Sequence, residues 1–555
     1  SLTVGPDLSY NGGANDAFVA KVKADGTSLL YLGYIGGSGD DRATGIAVDG
    51  SGNAYVVGHT ESAEASFPVA GGPDLTYNGG TSDAFVAKVN AAGTALTYAG
   101  YIGGSGEDTG LGIAVDPSGN AYMTGYTTSS ETSFPKSVGP DLTYNGAGDA
   151  FVAKVKADGT GLVYAGYIGG SGDDQGAGIA VDAGGNAYVA GYTDTSATGF
   201  PAAVGPKLIG GGGRDAFVAK VKSDGSGLTY AGYIGGSGDD RATGIAVDGA
   251  GNAYVVGNTA SVQSSFPVTV GPDLTHNGGD YDAFVAKVKA DGTALTYAGY
   301  IGGLGDDRGT GIAVDGAGNA YVAGYTGSSE ASFPVAGGPG LSYDGGTADG
   351  FIAKVRADGT ALSYAGYIGG NSYEETHGIA VDSGGNAYVV GWTNSTGPSF
   401  PVTVGPDLTH NGSIADAFVA KIAEGIGPSS PAVNLIANGN GAGTVATSSP
   451  VTVTYTLSGC QGREMFLVLN APAMDIPWAF LNAAGRWVPL PATLSQITPF
   501  MTGFSNGTYT LFSGNAPKGV YDIYLGCDFA ANGFLDINAG GQVNGVYDSM
   551  VVTVQ

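Results

Sequence analysis

Acidic side chains recur in pairs along the first three quarters of the sequence, and their type and spacing suit metal chemistry. Each pair follows a G-Y-I-G-G segment. The members are Asp40 and Asp41, Glu107 and Asp108, Asp173 and Asp174, Asp239 and Asp240, Asp306 and Asp307, and Glu374 and Glu375. Carboxylate oxygens together with turn carbonyls are the ligands that Ca²⁺ takes in proteins. The same carboxylates could instead accept backbone N–H bonds in a tight turn, so a calcium site and a structural turn both stay open.

Groups for covalent or acid-base catalysis are sparse. The four histidines, His59, His276, His377 and His410, stand in different parts of the chain. The repeats contain no G-x-S-x-G elbow, and the chain has no H-E-x-x-H motif and no phosphate-binding loop. We therefore predict no catalytic residue and no cofactor, with Ca²⁺ as the one open alternative.

A repeat of 66 or 67 residues must position these groups. The string D-A-F-V-A-K, or its variant D-G-F-I-A-K, begins at Asp16, Asp83, Asp149, Asp215, Asp282, Asp349 and Asp416. Each unit also contains G-Y-I-G-G, then G-I-A-V-D, then G-N-A-Y, and closes with Phe-Pro and a Gly-Pro-rich linker. A fixed period of this length indicates a solenoid, a propeller or another repeat array.

Each unit predicts four short strands bounded by turn residues. We name them by motif: G-I-A-V-D is strand A, N-A-Y-V-V-G is B, D-A-F-V-A-K-V is C, and T-Y-A-G-Y-I-G is D. Their side chains are apolar or small on both faces, which suits a sheet covered on both sides by neighbouring sheets. Four-stranded units repeated around an axis predict an all-β fold and a β-propeller, with six blades favoured and seven as the alternative.

The motifs D-A-F-V-A-K, Y-I-G-G-S-G-D-D, G-I-A-V-D and G-N-A-Y-V resemble the bacterial SBBP β-propeller repeat family over about residues 1–422. The resemblance implies a propeller on a secreted or surface-attached protein. It implies no particular activity, because propellers carry many unrelated functions.

The strand count is uneven, with six A, six B, seven C and six D strands. The simplest closure pairs the N-terminal C and D strands with the C-terminal A and B strands as a sixth blade, which leaves one C strand surplus. An unfilled strand edge seeks a partner, and head-to-tail exchange between copies builds an open filament. We therefore expect self-association by strand exchange at the propeller closure.

Beyond the repeats we predict a linker at 423–432 and an immunoglobulin-like β-sandwich at 433–555. This segment contains several short runs rich in Val and Tyr, such as Val451–Leu457 and Tyr521–Leu525. Cys460 and Cys527, the two cysteines of the chain, each follow such a run, so we expect one disulfide between strand ends.

The charge and the apolar runs of the sequence argue against two classes of partner, nucleic acids and the membrane interior. A net charge of −28, with the 21 basic residues scattered singly, argues against nucleic-acid binding. No apolar run reaches the roughly 18 to 20 residues needed to span a bilayer, so we expect no membrane insertion. The acidic, Gly-rich and Cys-poor composition favours an extracellular or cell-surface location.

The sequence favours a non-catalytic structural or scaffold protein that acts through self-association, as an extracellular filament or surface-layer subunit. One alternative is a carbohydrate-binding adhesion module, for which the loop residues Tyr10, Tyr77 and Tyr144 are candidate contacts. A second alternative is an extracellular hydrolase or lyase, which would require acidic side chains converging in the central channel.

Overall fold

The computed structural model describes residues 4–194, 199–396, 399–411 and 414–423, and beyond them the backbone of nine strands. The chain divides into two compact units, Ser1–Glu424 and Gly425–Gln555. Among the described residues there is no helix long and apolar enough to cross a membrane.

The first unit consists of 25 strands joined by turns and linkers. In chain order they are β1 (Ala17–Val22), β2 (Leu29–Ile35), β3 (Asp41–Val48), β4 (Ala54–Thr60), β5 (Asp83–Val89), β6 (Leu96–Ile102), β7 (Asp108–Val115), β8 (Ala121–Thr127), β9 (Asp149–Val155), β10 (Leu162–Ile168), β11 (Asp174–Val181), β12 (Ala187–Thr193), β13 (Asp215–Val221), β14 (Leu228–Ile234), β15 (Asp240–Val247), β16 (Ala253–Thr259), β17 (Asp282–Val288), β18 (Leu295–Ile301), β19 (Asp307–Val314), β20 (Ala320–Thr326), β21 (Asp349–Val355), β22 (Leu362–Ile368), β23 (Glu374–Val381), β24 (Ala387–Thr393) and β25 (Asp416–Ile422).

The predicted fold class is confirmed: the unit is a six-bladed β-propeller of four-stranded units. Five blades are complete antiparallel sheets in the order A-B-C-D, namely β3–β6, β7–β10, β11–β14, β15–β18 and β19–β22. The turn between A and B is a tight hairpin, as its residues predict. In the first of these turns, Asn53 and Asp49 pair through their backbones, and Gly52 adopts a positive φ of 83° that a residue with a Cβ rarely takes.

Neighbouring blades pack through apolar side chains on both faces of each sheet. Phe217 and Val218 of β13, for example, are both fully buried, although they point to opposite faces. Each of the five interfaces between consecutive sheets, from β3–β6 to β23–β25, also carries a hydrogen bond from the Tyr of strand B to the next A–B turn, as from the Tyr188 hydroxyl to the Gly251 carbonyl at 3.2 Å. The strands of the inner sheets, from β7–β10 to β19–β22, can be apolar on both sides because each of these sheets is covered by two others.

The sixth blade is divided between the two ends of the unit. Strands β23, β24 and β25 form a three-stranded A-B-C sheet, and β1 and β2 form a separate two-stranded C-D sheet. Among the described strands, the expected ladder between the C-terminal B strand and the N-terminal C strand is therefore not present. β25 holds that edge of β24 instead, with Val389 opposite Ala420. Because β25 follows β24 in the same chain segment, it reaches this edge at a smaller entropic cost than β1.

The second unit contains β26 (Ala432–Ala437), β27 (Gly443–Val445), β28 (Val451–Ser458), β29 (Glu464–Ala471), β30 (Ile476–Leu481), β31 (Trp487–Pro489), β32 (Gly507–Gly514), β33 (Gly519–Asp528) and β34 (Gly545–Val554). They form two sheets, in the orders β26-β28-β32 and β27-β34-β33-β29-β30-β31. The immunoglobulin-like sandwich stays a prediction. Cys460 and the side chain of Cys527 lie outside the described residues, as does most of the predicted linker, so the disulfide also stays a prediction.

Candidate functional site

Each A strand begins with an acidic residue whose carboxylate ties the D-to-A loop to the blade. This residue is the second member of the predicted pair in five units and the first member, Glu374, in the last unit. Asp108 is fully buried and accepts the backbone N–H of Gly104 at 2.7 Å and the Ser129 hydroxyl at 2.8 Å, while Thr127 donates to its other oxygen. The bond to the second glycine of G-G recurs at 2.6–2.7 Å. The acceptors are Asp41, Asp108, Asp174, Asp240, Asp307 and Glu374. These carboxylates are satisfied by donors of their own blade, which is the geometry of a turn cap.

The other acidic residue of each pair makes different contacts. Asp40 and Asp306 form ion pairs two residues along the chain, with Arg42 at 2.9 Å and Arg308 at 3.0 Å. Glu107 accepts a hydrogen bond from Tyr126. The partners therefore differ from those of the buried carboxylate that follows each of these residues.

Asp173 and Asp239 also form ion pairs, with Arg214 and Arg241.

In the last unit the predicted acidic pair is shifted by one residue relative to strand A. Pairing of β23 with β24 puts Glu374 opposite Thr393, the position that Asp307 takes opposite Thr326. Glu375 therefore takes the place of an arginine in strand A, and Tyr373 stands where the other blades have the first acidic residue.

The described residues contain no group of three or more His, Cys, Asp or Glu side chains placed to hold a metal ion. Calcium at the acidic loops stays a prediction. The arrangement of two carboxylates with separate partners supports the interpretation of these pairs as turn caps.

The histidines and the loop tyrosines are likewise dispersed. His59 lies in β4 opposite Arg42, and His377 lies in β23 at 4.0 Å from Glu375. His276 packs edge-on against Tyr300, and His410 belongs to the last linker. The hydroxyls of the three loop tyrosines each donate to a carbonyl three residues onward. They are Tyr10, Tyr77 and Tyr144.

The first residue of strand C is a buried aspartate whose chemistry the sequence reasoning missed. Asp149 is fully buried, its Oδ2 accepts the Asn145 N–H at 3.0 Å, and its Oδ1 has no hydrogen-bond partner. A methyl group on Gly169 would lie 2.8 Å from this Oδ1 and 2.8 Å from Oδ2 of Asp174. The two carboxylates therefore face each other across a glycine. A charged residue repeated at the start of an apolar strand was the signal that could have found this pair.

Burial has a large electrostatic effect on these aspartates. Removal from water raises the pKa of Asp149 to about 7, and the neighbouring charge of Asp174 adds to the effect. The same cause raises the pKa of Asp83, Asp282 and Asp349 to about 7, and that of Asp215 to about 6. Each complete blade thus contains a carboxyl group that holds its proton at mildly acidic pH.

The divided blade, together with strand β3 of the complete blade next to it, carries apolar side chains that are more exposed than their equivalents in the other blades. Phe18 of β1 is 55% exposed, whereas the equivalent phenylalanines of the five complete blades are fully buried. Ile46 and Val48 of β3 are 56% and 60% exposed, and Val390 of β24 is 46% exposed. Among the described strands, β1 pairs only with β2 and β25 pairs only with β24, so each has a free edge. We call these residues and edges the seam.

Comparison with known proteins identifies the repeat. The family model described as "SBBP: Beta-propeller repeat" matches residues 30–63, 97–131, 163–196, 229–262, 296–330 and 364–397. The chain carries six SBBP β-propeller repeats. Each match spans strands D, A and B of the SBBP repeat and the acidic loop between D and A, so the six loops are equivalent positions.

Among curated proteins, the chain is similar to the regulatory protein FlaEY of Caulobacter vibrioides, with 28% identity over 424 residues. The match covers 73% of this chain and 41% of FlaEY, so the chain spans about two fifths of the relative's length.

Solved structures also match, two of them as follows. A gluconolactonase of Xanthomonas campestris has 14% identity and a TM-score of 0.28, covering 55% of this chain and 75% of its own. Kuenenia stuttgartiensis hydrazine synthase has 9% identity and a TM-score of 0.34, covering 91% of this chain and 68% of its own. Both TM-scores are too low to support a conclusion about this chain.

Proposed function

We propose that the protein is a non-catalytic extracellular or cell-surface scaffold that self-associates by exchanging the β1–β2 hairpin between copies. One observation carries the proposal: two nearly identical strands compete for one edge of β24. These are Asp16–Val22, with the sequence D-A-F-V-A-K-V, and Asp416–Ile422, with D-A-F-V-A-K-I. They differ by one methylene group, so either strand makes the same ladder with β24.

The hairpin supplies what the C-terminal sheet lacks. Among the described strands no D strand pairs with β25, whereas β1 is already paired with β2, from Ala17 opposite Ile35 to Val22 opposite Leu29. A blade built from β23, β24, β1 and β2 would have the order A-B-C-D of the complete blades. Phe18 would then take the place that Phe418 now occupies, 5.0 Å from the ring of Phe400.

Burial of the seam favours this exchange. Fully burying an aliphatic or phenylalanine side chain contributes roughly 1.5–3 kcal/mol, and the seam residues Phe18, Ile46, Val48 and Val390 are each about half exposed. Their burial would contribute roughly 3–6 kcal/mol in total. Free strand edges beside exposed apolar side chains are the places at which strands are added or exchanged.

A second copy of the chain is the partner with the matching shape. Its β1–β2 hairpin has the strand sequence that pairs with the edge of β24, and its own β24 stays available to a third copy. This contact joins different surfaces of the two copies, so it is heterologous, and repetition without closure yields an open filament.

Cysteine cross-linking tests the exchange. Val390 of β24 lies opposite Val419 of β25, and Val19 of β1 has the position equivalent to Val419. The test variant combines Val19→Cys with Val390→Cys, and the control combines Val390→Cys with Val419→Cys. Facing residues on paired strands are close enough for a disulfide.

We expect the oxidised test variant to form dimers and longer ladders on a non-reducing denaturing gel, and the control to remain a cross-linked monomer. Single-cysteine variants measure any linkage through Cys460 and Cys527. A cross-linked monomer from the test variant would mean that the ring closes on itself. Absence of any cross-link would mean that β1 does not reach β24, and either result overturns the proposal.

A further inference from the structure

A cavity of about 230 Å³ lies where three neighbouring blades meet, and self-association does not involve it. Its main lining residues are Gln175, Tyr192, Arg241, Asn258, Tyr281 and Arg308. Gln175, Arg241 and Arg308 are each the second residue of an A strand, in β11, β15 and β19. Neighbouring A strands contact one another, so these residues lie at the same end of the innermost strands. We call this space the rim cavity.

The rim cavity coincides with a departure from the repeat. The sixth residue of strand B faces the second residue of strand A, as Tyr192 faces Gln175 and Asn258 faces Arg241. This position is aromatic in four units, histidine in one and asparagine in one. The residues are His59, Tyr126, Tyr192, Asn258, Tyr325 and Trp392. Asn258 is the smallest of them, so this blade lacks a ring that other blades place here.

A polar group of the cavity is left unsatisfied. Asn258 is only 8% exposed, and its Oδ1 accepts no hydrogen bond. Leaving a buried acceptor unpaired costs about 1–3 kcal/mol, which an unpartnered group recovers when a donor arrives. This observation points to an occupant that donates hydrogen bonds.

The charges of the rim cavity are already balanced. Arg241 pairs with Asp239 at 2.7 Å, and Arg308 pairs with Asp306 at 3.0 Å. The Tyr281 hydroxyl donates to Asp239 at 2.9 Å. Since each guanidinium has its own carboxylate and the chain carries a net charge of −28, the site has no excess positive charge to attract an anion.

We propose that the rim cavity binds one neutral sugar ring in the place of the missing aromatic side chain. Sugar hydroxyls both donate and accept hydrogen bonds, which matches the Asn258 oxygen and the Gln175 amide. The guanidinium groups of Arg241 and Arg308 lie over the rings of Tyr192 and Tyr281, at 5.3 Å and 4.4 Å from the ring centres. Their N–H groups are donors for the oxygens of the sugar hydroxyls. The volume is below the ~300–1,000 Å³ of sites for drug-sized ligands, so one ring fits and a larger ligand does not.

Ligand-observed NMR on the full chain tests the site with glucose, galactose, mannose and N-acetylglucosamine. Galacturonate and inorganic phosphate serve as anionic comparators. Asn258→Tyr restores the residue of other blades and fills the cavity, and Asn258→His is a milder change that introduces the residue found at position 59. The matched control is His59→Tyr, which makes the same kind of substitution at the equivalent position of another blade.

We expect at least one neutral sugar to bind the wild-type chain and the His59→Tyr variant equally. Asn258→Tyr should weaken binding at least tenfold, and Asn258→His should weaken it less, with melting temperatures close to that of the wild type. No binding by any neutral sugar, equal binding by the Asn258 variants, or stronger binding by galacturonate or phosphate would each overturn the proposal. None of these results depends on the oligomeric state, so failure here is distinguishable from failure of the self-association proposal.

Discussion

Replacing Asp149 with asparagine should stabilise the propeller at alkaline pH. Asp149 is fully buried, its Oδ1 has no partner, and it faces Asp174 across Gly169. Burial raises the pKa of Asp149 from the ordinary 3.8 to about 7. The folded chain therefore keeps a proton that the unfolded chain releases.

The sign and size of the effect follow from this difference. A raised folded-state pKa means that stability is highest below pH 3.8 and falls as the pH rises through 7. At 1.36 kcal/mol per pKa unit, the loss at this single site by pH 8 is at most about 4 kcal/mol.

Asparagine removes the titration and suits the local contacts. Its carbonyl oxygen can accept the Asn145 N–H that Asp149 now accepts, and its amide group can donate toward Asp174. We expect Asp149→Asn to unfold at higher denaturant than the wild type at pH 8, by up to about 4 kcal/mol in free energy. At pH 4 the two proteins should have nearly equal stability.

Urea denaturation of the wild type, of Asp149→Asn and of a control variant, each at pH 4 and at pH 8, measures the effect. The control is Asp158→Asn in an exposed turn, where hydrogen bonds from Thr160 lower the aspartate pKa, so no alkaline gain is expected. Parallel pH profiles for Asp149→Asn and the wild type would refute the reasoning. Lower stability of Asp149→Asn at pH 8 would instead mean that a cation bridges the two carboxylates.

Three further predictions concern the turns and blade interfaces. Gly103→Ala should destabilise the chain by about 1–3 kcal/mol in urea denaturation, because its methyl group would lie 2.7 Å from Asp83 and 2.8 Å from Asp108; wild-type stability would contradict this. Tyr188→Phe should cost about 1 kcal/mol by the same measurement through loss of the inter-blade bond, and more than Tyr388→Phe at the seam, while equal losses would argue against the interface role. If the acidic loops bind Ca²⁺, chelation should lower the melting temperature and added calcium should restore it; an unchanged melting temperature favours the turn caps.

The repeat made most of the propeller predictable. D-A-F-V-A-K and G-N-A-Y each coincide with a strand, and the Asp and Gly of the A–B turn adopt the hairpin that their conformational preferences favour. The strand lengths and order follow from local patterns that recur in every unit, so each unit supports the interpretation of the others.

The acidic loops were predictable in position but only partly in role. Both a metal site and a turn cap fit the sequence pattern, because either uses carboxylates beside glycines. The hydrogen bonds of Asp108 to Gly104 and Ser129 could not be foreseen, since Ser129 lies in the next loop and approaches only after strands A and B pair. The shift at Glu374 was missed for the same reason, because strand register is set by the partner strand.

The sequence by itself determined the blade unit, its strands and its turns, because these depend on residues close together in the chain. Tertiary structure alone decided which copies of a unit are buried. Phe18 and Phe85 occupy the same place in the same motif, yet Phe18 is 55% exposed and Phe85 is fully buried. Likewise, the high pKa of Asp149 and the rim cavity beside Asn258 arise from neighbouring strands and blades. Burial and desolvation depend on what covers a residue, and the covering surface comes from chain segments far away in sequence.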